Sequence, residues 1–150
     1  MADSGSLTAA HRDALAPFVV AAQAALADWA GLDSFPCGDG TMTATAFSEG
    51  HLSATLPLRR TPPGVLAVAL PRAFAAGFAE RVLAESGDPA LVADLVGELA
   101  NVIAGHAKAL LVGTPGHFDL GTPRLGAPEP GSYAVAMVRC ELGELRLGLN

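Results

Sequence analysis

An aspartate, a glutamate, an asparagine and a glycine stand at i, i+4, i+7 and i+11 in the run DPALVADLVGELANVIAGHAKALLVG: Asp94, Glu98, Asn101 and Gly105. Each type could serve chemistry on a second molecule. A carboxylate pairs with a cation in a charge-assisted hydrogen bond. A carboxamide offers a donor and an acceptor without net charge. A glycine leaves the backbone bare for close approach.

The run that carries them, residues 88–113, reads as one helix. Asp88 is a good N-cap, and Pro89 suits the first helical position, where its missing N–H costs nothing. Gly113 can take a left-handed conformation after the end, and Pro115 discourages continuation. Val92, Leu95, Val96, Leu99, Val102, Ile103 and Leu110 recur at helical spacing and form an apolar stripe. At about 100° per residue the four polar positions fall within a narrow arc away from that stripe. An ordinary solvated face is the bland reading of this row. Against it, the row lacks the Lys or Arg that commonly sit at i+4 to surface acids. Asn is a mediocre interior helix residue, and Gly105 costs about 1 kcal/mol relative to Ala. A face that accepts those costs suits a partner that docks closely.

The spacing Asp94-x3-Glu98-x2-Asn101, with Pro123 downstream, resembles the motif of the CheC/CheX/FliY phosphatases of bacterial chemotaxis. The string GELANVIAGHA is similar to the helix of CheX-type members. Between Asn101 and Pro123 lie 21 residues, one fewer than in the family pattern, as a one-residue deletion after Gly113 would produce. The chain has no second Glu-x-x-Asn, which resembles the single-site CheX arrangement rather than the two-site CheC one.

That resemblance implies a protein phosphatase acting on the aspartyl phosphate of a response-regulator receiver domain. Asn101 would orient the attacking water, and Glu98 would pair with the receiver's active-site lysine. Asp94, Gly105 and Pro123 would belong to the partner-binding surface. The chain would bring no cofactor of its own, because the Mg²⁺ would belong to the receiver substrate. Homodimerisation is also implied, with the closing hairpin as an edge for sheet extension. Two other readings stand beside it. One is a catalytically inactive adaptor of the same fold in a chemotaxis or flagellar-switch complex. The other is an unrelated α+β domain, such as a small-ligand binder, with a chance motif.

Bulk properties narrow the partners. The chain has 150 residues, enough for one well-buried domain over 1–150. Its formal charge is −6, with nine Lys plus Arg and no basic cluster, which disfavours nucleic acid and anionic membrane. Cys37 and Cys140 have no C-x-x-C spacing, and His11, His51, His106 and His117 are scattered, so spacing suggests no metal site. The longest uncharged apolar run, residues 14–27, is too short to span a bilayer and follows no basic segment. A cytoplasmic location is the expectation.

Taken in order, residues 1–7 predict a frayed terminus and 8–30 a helix burying Phe18, Ala22, Leu26 and Trp29, with Pro17 a point of interruption. Residues 31–40 read as a loop. Alternation predicts strands over 41–48 and 51–58, joined as a hairpin by Glu49-Gly50. A buried strand over 65–70 leads to a helix over 72–86 that buries Phe74, Phe78 and Val82. After the central helix come a short strand over 117–125 containing Pro123, then strands 133–142 and 144–149. The predicted fold is α+β: about six mostly antiparallel strands, packed with a long central helix and two further helices.

Overall fold

The computed structural model describes residues 5–84 and 88–150. Three helices and seven strands follow in the order α1 (Ala9–Ala30), β1 (Phe35–Thr43), a 3-10 turn (Ala44–Phe47), β2 (His51–Arg59), β3 (Gly64–Pro71), α2 (Arg72–Leu83), α3 (Pro89–Leu110), β4 (Asp119–Leu120), β5 (Arg124–Leu125), β6 (Ser132–Cys140) and β7 (Gly143–Leu149). The strands form one sheet in the order β1-β6-β7-β3-β2-β4, with β5 also paired to β2, and every pairing is antiparallel. The α+β class and the antiparallel sheet are as predicted, with seven strands instead of about six.

Alternation along the strands divides the side chains between two faces. Leu56 and Leu58 of β2, Leu66, Val68 and Leu70 of β3, Val138 of β6, and Leu145 and Leu147 of β7 point to the side covered by all three helices. There they meet Phe18 and Leu26 from α1, Phe74 and Phe78 from α2, and Leu99 and Ile103 from α3. Phe18 stacks on Phe118 with ring centroids 5.7 Å apart, and Trp29 stacks on Phe78 at 6.2 Å. The 3-10 turn covers part of the opposite face. It lays Phe47 against Tyr133 and over Gly148, where any Cβ would run into the phenyl ring.

The helix ends follow their caps. Thr8 accepts a hydrogen bond from the His11 N–H at 3.1 Å, and Gly31 ends α1 in the left-handed region. Asp88 caps α3 by accepting from the Ala90 N–H at 2.9 Å. Pro17 does not interrupt α1, because buried residues on both sides of it, Leu15, Phe18, Ala21 and Ala22, hold the helix on the core. α2 ends at Leu83, with Ala84 in the left-handed region, short of the expected end at Ser86; residues 85–87 lie outside the described residues.

Four sequence expectations are corrected. Residues 31–40 are not all loop, since β1 starts at Phe35 and pairs with β6. Pro36, Gly38 and Gly40 disguise that strand, which is an edge where a proline and a bulge at Cys37 are tolerated. The hairpin between 41–48 and 51–58 does not form: residues 44–47 coil into the 3-10 turn, and β2 pairs with β3 on one side and β4 and β5 on the other. The closing hairpin offers no free edge, because β6 and β7 lie between β1 and β3. Finally, the frayed terminus does not extend to residue 7: Leu7 is buried, and the Gly5 carbonyl accepts from the Thr41 N–H at 2.9 Å.

Candidate functional site

The inner face of α3 fixes the direction of its outer face. Leu99, Ala100, Ile103, Ala104 and Ala107 have no exposed surface, and Val96 is nearly as buried. Burial of each large aliphatic side chain contributes about 2 kcal/mol, so rotation of the helix about its axis would be costly. This packing is also why a helix long and apolar enough to cross a membrane belongs to the core instead. Leu110 is the exception in the predicted stripe, being 54% exposed in the last turn.

The row opposite that core contains the four polar positions. Asp94 and Glu98 are exposed, while Asn101 and Gly105 are half-buried. Residues three or four apart on a helix stand about 5–6 Å from each other between Cβ atoms, so Glu98 and Asn101 are neighbours. Among the described residues neither side chain hydrogen-bonds within the chain or joins an ion pair. Nothing stands within 4 Å of where a Cβ on Gly105 would project, so the row ends in open space. The result is a carboxylate and a carboxamide side by side on a helix held by the core, uncommitted among the described residues.

Pro123 is not on this row. It is half-buried in the three residues 121–123 that separate β4 from β5. Leu58 pairs with Leu120 and Thr55 with Arg124, so two residues of β2 face three of the outer chain and the outer chain bulges. The predicted continuous strand over 117–125 is therefore two short ones. Pro57 explains the break. Its carbonyl faces the bulge and accepts from the Gly121 N–H at 2.8 Å, and on that same side proline has no N–H to give.

Two features beside the row were missed from the sequence. Gly97, buried on the flank of α3, lies against Leu125 of β5: a Cβ there would stand 3.1 Å from Leu125 Cδ2. This close approach draws the chain just after Pro123 against the helix flank. A second interior helix glycine, in LVGELAN, was the available signal. Lys108 near the end of α3 pairs with Asp119 of β4 at 3.2 Å, a half-exposed contact worth well under about 1 kcal/mol. Among the described residues no three His, Cys, Asp or Glu side chains gather as a metal site would need.

The family model for chemotaxis phosphatase CheX matches residues 52–137, more than half of the chain, from the start of β2 into β6. The chain belongs to the CheX family. Among curated proteins no sequence matches it. Solved structures share its fold. A CheC-like superfamily protein from Shewanella sp. PV-4 superposes with a TM-score of 0.79 at 21% identity, over 91% of this chain and 96% of that one. The chemotaxis protein CheX from Vibrio vulnificus gives 0.75 at 19%, over 91% and 97%. CheX of Borrelia burgdorferi, in a complex with CheY, BeF₃ and Mg²⁺, gives 0.69 at 18%, over 92% and 98%. At these identities the likeness is one of fold.

Proposed function

We propose that this chain is a phosphatase that hydrolyses the aspartyl phosphate of a CheY-like receiver domain. The observation that carries the reading is the pair Glu98 and Asn101, adjacent on the outer row of α3 and without a side-chain partner among the described residues. Membership of the CheX family and the CheY complex of the Borrelia relative support the choice of partner.

An aspartyl phosphate is a mixed anhydride and already activated, so placing a water in line with the phosphorus is the main contribution left to a partner protein. Asn101 does this with its carboxamide, accepting from the water and donating to a neighbouring oxygen without adding negative charge near the phosphoryl group. Glu98, one turn away, pairs with a lysine of the receiver and sets the register of docking. Asp94 and Gly105 extend the contact along the row, and Pro123 borders it from the bulge beside β2. The Mg²⁺ comes with the receiver. Homodimerisation belongs to the same proposal, through a surface other than the closing hairpin, as does a cytoplasmic location, where receiver domains work.

The test is phosphate release from a panel of phosphorylated receiver domains with and without the chain. Acceleration with at least one receiver is expected, and Glu98→Ala should weaken binding and slow release together. Unchanged kinetics in that variant would remove Glu98 from the site.

A further inference from the structure

Alternation along β5 sends its two side chains to opposite sides of the sheet. Arg124 pairs with Thr55, and Leu125 with Ala54, whose side chain belongs to the core beneath the helices. Leu125 therefore faces α3, where Gly97 makes room for it: a Cβ on that glycine would stand 3.1 Å from Leu125 Cδ2. Gly97 follows Asp94 by three residues and precedes Asn101 by four, so it is the surface neighbour of both on the helix. Leu125 thus fills a notch on the strand side of the polar row, between the carboxylate of Asp94 and the carboxamide of Asn101.

Filling that notch accounts for only part of the side chain, since Leu125 remains 51% exposed. Exposed positions on an edge strand commonly carry charge, as Arg124 does, which guards the edge against stray pairing. A leucine at such a position suits a surface that is covered in the working complex. The reach of that surface follows from its size. One partner's share of a standard protein interface is about 800 Å², which extends about 16 Å from its centre. Neighbouring positions on a helix face are only about 5–6 Å apart. A receiver domain seated on Glu98 and Asn101 therefore covers Leu125 as well.

We propose that Leu125 is a specificity-determining contact for the receiver, packing against an apolar side chain beside the receiver's phosphorylated aspartate. The proposal rests on the phosphatase reading for the identity of the partner and adds to it a basis for choosing among receivers. An apolar residue at this point is taken out of water against the exposed side of the leucine, which favours the complex. A charged or polar residue loses its hydration there, and Leu125 has no group to replace it, which costs affinity. Glu98 and Asn101 address the reacting group itself, whereas Leu125 reads what surrounds it.

The experiment measures affinity for the panel of receivers in a phosphoryl-mimic state, and phosphate release from the tightest binder, for wild type, Leu125→Ala, Leu125→Met and Leu110→Ala. Leu125→Ala is expected to weaken binding of the tightest receiver about tenfold, as loss of half of a leucine's burial would. The half-saturating receiver concentration should rise by the same factor, while release at saturation stays within about twofold of wild type. The spread of affinities across the panel should narrow. Leu125→Met keeps the apolar volume and should bind within about twofold of wild type. Leu110 is 54% exposed and stands about 120° round α3 from Glu98, so Leu110→Ala should bind as wild type does. Unchanged binding in Leu125→Ala, or an equal loss in Leu110→Ala, would overturn the proposal and leave the phosphatase reading in place. A wild type that binds a receiver without releasing its phosphate would overturn the phosphatase reading, while the affinities still test Leu125. A wild type that binds no receiver would overturn both.

Discussion

Gly121 lies against the ring of Pro57, so closely that a Cβ on it would stand 2.8 to 3.0 Å from three ring carbons. The pyrrolidine cannot swing aside as a flexible side chain would. Together with the 2.8 Å bond from the Gly121 N–H to the Pro57 carbonyl, this contact sets the bulge that carries Pro123. Gly121→Ala should therefore cost about 1–3 kcal/mol, as overpacking does. The denaturant midpoint measures it, with Thr122→Ala, at an exposed neighbour, expected within about 0.5 kcal/mol of wild type. Equal midpoints for the two variants would show that the chain absorbs the contact.

Gly105 separates stability from function. With nothing within 4 Å of its added Cβ, Gly105→Ala should stabilise the fold by about 1 kcal/mol through helix propensity alone. The same methyl would stand on the face assigned to the receiver, so turnover should fall while the melting temperature rises. A variant that is more stable and equally active would show that the partner does not approach this glycine.

Cys37 and Cys140 should differ sharply in reactivity. Cys140 is buried, whereas Cys37 is exposed on the edge strand. Local burial pushes the Cys37 thiol up from its ordinary pKa, and the Glu144 carboxylate, 3.6 Å away and accepting its S–H, pushes the same way, against a smaller opposing effect of Arg139. The thiolate is the reactive form, so alkylation by iodoacetamide near neutral pH should be slower than for an unstructured cysteine. Glu144→Gln should speed it several-fold. Mass spectrometry of the native chain would count one modification; rapid modification of Cys37 at the rate of a free thiol would contradict the role of Glu144.

How much of this could be read from sequence depended on whether the determinant was local. The start of α3 and the shared face of Asp94, Glu98, Asn101 and Gly105 follow from a cap and a period, which neighbouring residues specify, whereas the helix ends at Leu110, before the Gly113 expected to stop it. β1 was not legible, because Pro36, Gly38 and Gly40 become strand only by pairing with residues about a hundred positions later in β6. The alternation of residues 41–48 misled for a related reason. Phe47 is worth more over Gly148, on a strand at the other end of the chain, than in a hairpin with β2. Similarly, the split of the 117–125 segment depends on Pro57, which lies on another strand.

The central claim rests on Asn101 as the residue that places the water, and the direct measurement is turnover and binding side by side in Asn101→Ala. Phosphate release from a phosphorylated receiver is compared with wild type, and affinity for the same receiver is measured in a stable phosphoryl-mimic state. Loss of release of at least about a hundredfold, with affinity changed by less than about tenfold, is the predicted result. Retained release, or release that falls only in proportion to lost binding, would contradict it.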